Sequence, residues 1–213
     1  MEWVVWAVLL LTIGAIASVF VWSKLKRGPR TVERVQLPVI GPVPDFTLTN
    51  QIGRAVTLAD LRGKVWVGDI VFTRCAGPCP QMTKQMAELQ AALPATAPIA
   101  FVTLTTDPDF DTPEVLKKYG DKHNADPARW QFLTGDKSEI AKLAVDGLKL
   151  TAIEKSPEER TDPADLFIHS TIFVVVDKRG QLRGIFETQG VFVDWPNARE
   201  KIVSAVRQLE AER

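Results

Sequence analysis

The stretch Val65–Met86, VWVGDIVFTRCAGPCPQMTKQM, constrains the fold most. Its apolar run from Val65 to Phe72 has the length of a buried strand. The run breaks at Thr73-Arg74, passes through Cys75-Ala76-Gly77-Pro78-Cys79-Pro80, and resumes with helical periodicity. Pro80 suits a first helical turn, where its missing N–H costs nothing. Both cysteines of the chain lie here, with three residues between them. A strand that delivers two thiols to a helix start is a place for thiolate chemistry. The N–H groups and dipole of a first turn stabilise negative sulfur and lower the thiol pKa. Two chemistries fit: opening and closing a disulfide, or gripping a soft metal ion. The spacing is one residue longer than the redox C-x-x-C pattern. Two thiolates hold Cu(I) in a linear site, and a third ligand such as imidazole is needed for Cu(II). The plain alternative is two buried cysteines packed as small apolar groups.

The 213 residues allow one ordinary domain with an appendage. Lys+Arg and Asp+Glu each number 26, so no basic surplus points to nucleic acid. There is no zinc-finger spacing and no Gly-rich phosphate loop. Two cysteines this close would close too small a loop to staple a fold, so a functional role is favoured over a structural one.

Trp3 to Trp22, WVVWAVLLLTIGAIASVFVW, carries no charge and matches the roughly 20 apolar residues that cross a bilayer. Trp3, Trp6 and Trp22 stand towards its ends, where aromatic belts form. Ala15-Ile16-Ala17 resembles a signal-peptide cleavage site, but the apolar run continues past it and no Lys or Arg precedes it. The expectation is an uncleaved transmembrane anchor over residues 1–22, a Pro-containing linker over 23–42 and a domain over 43–213. Lys24, Lys26, Arg27 and Arg30 follow the helix and would hold the domain in the cytoplasm. Thiol chemistry suits an oxidising compartment instead.

Along the domain, Phe46–Thr49 and Ala55–Thr57 read as a hairpin, and Leu58–Arg62 as a brief turn or helix. A helix over Gln81–Leu93 carries Met82, Met86, Leu89 and Leu93 on one face, a core stripe before it is a set of soft ligands. Ile99–Leu104 is a second strand. Thr112 caps a helix from Pro113 to about Lys122, Trp130–Leu133 is a short strand, and Asp136 caps a helix over Lys137–Val145. Gly147–Asp165 reads as a long loop. Ser170–Val176 and Gln181–Glu187 are strands about the turn Asp177–Gly180, and a last helix covers Trp195–Leu209. Alternating strands and helices predict an α/β fold whose central mixed sheet is mainly parallel, with hairpins adding antiparallel strands.

FTRCAGPCP after an apolar strand, TTDPDFDTPEVLKKYGDKH, WQFLTGD and HSTIFVVVDKRGQL together resemble the Sco/SenC family, over roughly Val43 to Arg207. The resemblance implies a thioredoxin-like domain on a membrane anchor, implicated in building the dinuclear copper site of cytochrome c oxidase. It places that family's copper-binding cysteines at Cys75 and Cys79 and its copper-binding histidine at His169. Two thiolates and an imidazole suit both copper oxidation states. It also places the domain outside the cytoplasm, on the periplasmic side of the cell membrane. His123 has no such context and reads as a surface residue.

The chain departs from the family pattern with Ala76-Gly77-Pro78 between the cysteines and Arg74 before the first. Arg74 would favour thiolate at both sulfurs. Asp69 interrupts the first strand six residues before Cys75, where a buried carboxyl with a raised pKa would move protons for thiol redox work. Asp107 would lie at the carboxyl end of a parallel strand, where ligands gather. Two functions follow. One is a copper metallochaperone using Cys75, Cys79 and His169 to load an oxidase subunit. The other is a tethered thiol–disulfide oxidoreductase using Cys75, Cys79 and Asp69 on a cysteine-containing extracytoplasmic partner. A peroxide-reducing enzyme is a third, for which no residue assigns peroxide attack to one cysteine.

Overall fold

The computed structural model describes residues 2–25, 36–160 and 166–212; within these, the side chains at 2, 4, 7, 8, 20, 21, 23–25, 152, 157, 168 and 169 lie outside the description. The chain divides into two units, Met1–Arg34 and Val35–Arg213.

The first unit holds one helix, α1, over Glu2–Leu25. Several of its side chains lie outside the description, and among the described residues no helix is long and apolar enough to cross a membrane. Half of the expected linker, residues 26–35, also lies outside the described residues.

In the second unit the hairpin read from the sequence is β2 (Thr47–Asn50) and β3 (Ala55–Thr57), preceded by a two-residue strand β1 (Gly41–Pro42) and followed by a short helix α2 (Leu58–Leu61). The apolar run is β4 (Val65–Val71), buried at all seven positions. A strand with no polar face must be covered on both sides. Helix α3 (Cys79–Ala92) follows, then β5 (Ile99–Thr105), α4 (Pro113–Lys122), β6 (Trp130–Thr134) and α5 (Lys137–Ala141). The chain continues through β7 (Ala152–Glu154), β8 (Phe167–His169), β9 (Ile172–Val176), β10 (Gln181–Glu187) and α6 (Trp195–Ala211).

Eight strands form one sheet in the order β1-β10-β9-β4-β5-β6-β2-β3. Only β4–β5 and β5–β6 are parallel; the other five pairings are antiparallel. The sheet is mixed, as expected, but its pairings are mainly antiparallel rather than mainly parallel. The cause is β9, which enters beside β4 in the opposite direction, with Trp66 facing Val176 and Gly68 facing Val174. β10 then turns back on β9 as a hairpin.

Alternation along β4 sorts its side chains onto two faces. Trp66 and Ile70 pack with Leu58 and Leu61 of α2 and with Ile140 and Leu143. Val65 and Val67 pack with Met82, Met86 and Leu89 of α3 and with Ile202, Val206 and Leu209 of α6. The two methionines are fully buried core, as their spacing indicates. Thr112 caps α4 as expected, accepting from the Val115 N–H at 3.4 Å.

Two segments differ from the sequence expectation. The helix expected to run to Val145 is α-helical only to Ala141 and continues as a π-helical turn over Lys142–Gly147, with wide bonds such as Leu148 N–H to Leu143 C=O at 3.0 Å. The expected loop after Gly147 contains β7, which pairs with β8 as a separate two-stranded sheet, Ala152 opposite His169 and Glu154 opposite Phe167. Each strand has only three residues, too few to show a period in the sequence.

The packing at Gly68 is testable. A Cβ there would lie 3.0 Å from Cζ3 of Trp66 and 3.1 Å from Cγ2 of Val174, both fully buried. Gly68→Val is expected to lower stability by about 1–3 kcal/mol, read as a lower urea midpoint.

Candidate thiol and metal site

The site begins where β4 ends. The Val71 carbonyl accepts from the Thr106 N–H at 2.9 Å, and the Phe72 carbonyl accepts from the Cys75 N–H at 3.2 Å. The second bond turns the chain sharply after the strand. α3 starts at Cys79, two residues earlier than the sequence pattern indicates, with Pro78 as its N-cap. Cys75 is thus in the loop and half-buried, and Cys79 is the first helical residue and fully buried. Both are thiols in this structure. The Gly77 N–H donates to Cys75 Sγ at 3.3 Å.

This placement corrects one expectation. The helix start does not lower the Cys79 pKa: burial pushes it well up, and a bond with Cys75 adds to that. A bond from the Phe72 backbone pulls the other way without overcoming burial. Removing the thiol from water penalises the charged form more than one helix end repays.

Asp69 lies on the α3 side of β4 and is fully buried, as expected for a carboxyl in a central strand. It is near enough for its charge to raise both the Cys79 thiol and the Tyr119 phenol. Tyr119, on α4, is held by a 2.7 Å bond with the Thr83 hydroxyl, and Thr83 donates to the Cys79 carbonyl at 3.0 Å. Burial is the main reason the Tyr119 pKa is raised. His123 is half-buried rather than a plain surface residue. Its ring lies 4.7 Å from that of Tyr119, and burial lowers its pKa.

Arg74 is paired with a carboxylate. Its guanidinium is directed at Asp107, with Nη2 2.5 Å and Nε 3.2 Å from Oδ2, and lies 4.1 Å over the Phe110 ring. Asp107 is buried at the carboxyl end of β5, where the sequence expectation put it, and pairs with the arginine. Beside it, Asp111 accepts from the Thr73 N–H at 3.1 Å, the Thr73 hydroxyl at 2.5 Å and the Thr105 hydroxyl at 2.5 Å. The sequence offered no sign of this role: Asp111 stands before the Thr112 cap and reads as a turn former. Burial raises its pKa, opposed by the bonds from Thr105 and Thr73.

The structure carries β8 to the same place. Phe167 packs edge-on against Phe72 with ring centroids 5.1 Å apart. It joins a small cluster with Val71, Phe72, Cys79, Cys75 and Leu166. His169 closes β8, two residues after Phe167, and β9 begins at Ile172. Its side chain lies outside the described set, and among the described residues no group of three or more His, Cys, Asp or Glu stands together as a metal site. The described part of the donor set is a pair of thiols, which fits a soft ion such as Cu(I) and lacks the hard oxygen ligands that Mg²⁺ or Ca²⁺ takes.

The chain is similar to known proteins in sequence and fold. Residues 40–206 match the SCO1/SenC family model. The SCO1 protein homolog of Bacillus subtilis is 36% identical over 152 residues, covering 70% of this chain and 76% of that protein. The solved structure of BsSco, described as a member of the Sco family of cytochrome c oxidase assembly proteins with a disulfide switch, superposes with a TM-score of 0.68 at 30% identity, covering 84% of this chain and all of that one (100%). Copper-bound ScoI of Bradyrhizobium japonicum gives a TM-score of 0.63 at 25% identity, over 80% of this chain and 99% of that one.

Two measurements check the site. Iodoacetamide should modify Cys75 at least about tenfold faster than Cys79, because only Cys75 is reached by water; peptide mapping of the reduced chain reads the order. The folded state holds the Asp111 proton above the ordinary value of 3.8, so this group's contribution to stability falls as pH rises from there through its raised pKa. Urea unfolding from about pH 3 to about pH 8 should show wild type losing stability relative to Asp111→Asn across that window, with no further relative change above it.

Proposed function

The chain belongs to the SCO1/SenC family, and we propose that it is a membrane-tethered copper-binding protein of cytochrome c oxidase assembly that passes copper to the dinuclear site of an oxidase subunit. Copper is cargo here. Cys75 and Cys79 supply two thiolates and His169 an imidazole. The observation that carries this reading is the Phe72–Phe167 contact, which holds the strand bearing His169 against the cysteine cluster. His169 is the last residue of that strand, two positions from Phe167 in the chain. Supporting it are the copper-bound ScoI and the oxidase-assembly role of BsSco.

Each part of the chain has a task in such transfer. Half-buried Cys75 is the sulfur an incoming partner meets, and buried Cys79 holds the ion away from water. Asp107 and Asp111 hold the loop that presents Cys75. Thiols lose their protons when they bind metal, so the raised Cys79 pKa weakens copper binding as pH falls. The anchor rests on the uncharged run Trp3 to Trp22 and on the 24-residue helix α1, about 36 Å long at 1.5 Å per residue. The domain is assigned to the periplasmic side, where a long domain crosses with limited regard to the Lys and Arg that follow the helix.

Asp69 favours a second reading, a thiol–disulfide oxidoreductase. Cys75 thiolate attacks a partner's disulfide and forms a mixed disulfide. Cys79 then displaces the partner's dithiol, leaving Cys75–Cys79 oxidised, while buried Asp69 takes the Cys79 proton and returns it to the leaving sulfur.

Copper titration of the reduced full-length chain separates the two. About one copper per chain is expected under the first reading. Any Cu(II) complex should show a sulfur-to-copper charge-transfer band that weakens in His169→Ala, and a chain that stays metal-free under excess copper would overturn it. The second reading expects disulfide turnover that slows about 10²-fold in Asp69→Asn and is indifferent to His169→Ala.

A further inference from the structure

Between β10 and α6 the chain makes a turn that the site chemistry does not use. At its tip Val191 is 95% and Phe192 99% exposed. Elsewhere in the domain large apolar side chains are mostly buried, and two adjacent ones left in water are costly unless something covers them. The turn is not a loose end. Val193 N–H donates to the Gly190 carbonyl at 3.1 Å, with Gly190 at φ 144°. Both of its feet are tied to α3: Gln85 Nε2 donates to the Thr188 carbonyl at 3.0 Å, and Trp195 Nε1 donates to Glu88 Oε2 at 2.7 Å.

Its position is specific. Gln189 Nε2 donates to the carbonyl of Pro78, the N-cap next to Cys79, at 3.0 Å. Thr188 bonds the Thr171 carbonyl through both its N–H, at 2.9 Å, and its hydroxyl, at 2.7 Å, two residues after His169. The turn is thus fastened to both strands of chain that carry the site. A ligand or sulfur exchange at Cys75 needs the partner's sulfur within bonding distance, so that partner's surface must lie against whatever stands beside the thiol mouth.

We propose that Val191 and Phe192 form the apolar anchor on which the protein exchanging ligands with Cys75 docks, a folded domain that displays its own cysteines beside an apolar hollow. The proposal rests on the function argued above, since it takes the copper-accepting protein as that partner. Fixing the pair on α3 beforehand removes most of the ordering cost of association, which is how a small apolar anchor dominates an interface.

The test uses the full-length chain in phosphatidylcholine nanodiscs and, as acceptor, the copper-free soluble domain of the host oxidase subunit that carries the dinuclear copper site. Wild type, the double variant Val191→Ser/Phe192→Ser, and Phe192→Leu are compared. In the double variant, copper per chain and copper loss to bathocuproine disulfonate, a small chelator that needs no docking surface, should match wild type. Its Kd for the acceptor domain should weaken about tenfold or more and transfer should slow by a similar factor, with Phe192→Leu close to wild type. An unchanged Kd overturns the proposal, and so does a double variant that holds less copper, which would make the turn a support of the site. Quenching of a Phe192→Trp variant by brominated lipid in the same nanodiscs would place the turn in the bilayer and overturn it too. If wild type holds no copper, the copper function fails, and the Kd comparison on the copper-free chain still decides the docking surface.

Discussion

Everything at the site depends on the pairing of β4 along both of its edges. β5 matches it residue for residue in parallel from Val65–Ile99 to Val71–Thr105, and β9 meets it in the opposite sense. Helices close both faces. A strand so held cannot shift register without turning Trp66 and Ile70 out of one core and Val65 and Val67 out of the other. The point at which it stops is therefore fixed, and with it the turn that separates the two cysteines. Cys75 stays in the loop, partly wet; Cys79 enters the helix and leaves water. The chemical difference between two identical side chains comes from chain direction and burial.

Two carboxylates then stiffen what would otherwise be a mobile connection. Asp107 and Asp111 stand just past the end of β5 and reach across to Arg74 and Thr73, the two residues before Cys75. Buried polar groups with full sets of partners hold a unique geometry, because each alternative leaves one of them without a bond in a dry place. On the other side, the fastening of β8 through Phe167 and of the β10–α6 connection through Gln189 brings two further segments to the same mouth. A thiol pair at a strand end is common to many chemistries. The segments gathered around this one are what set it apart from a bare strand end.

Much of this was legible in the residues. The apolar run, the cysteine pair and the helix that follows appear in the sequence in their observed order, and Thr112-Pro113 announces α4 without ambiguity. The methionine spacing on α3 identifies core. The failures have physical causes. The strands β7 and β8 are too short to carry a period and gain their pairing only from each other. Asp111 looks like any acidic residue before a helix cap. The ion pair of Arg74 was not legible either, since its neighbour in the chain is Cys75. Asp107, 33 positions away, is its neighbour in space.

The family came from the resemblance of whole motifs; local patterns sufficed for the order of the main strands and helices and for the position of the thiols between strand and helix. These depend on periodicity, capping and spacing, which act over a few residues. Which thiol stays wet, which carboxylates brace the loop, that β9 runs against β4, and that Val191 and Phe192 stand in water beside the cysteine helix were settled only by packing. Those outcomes arise from contacts between residues tens of positions apart, whose strength is set by burial, and burial is a property of the whole fold.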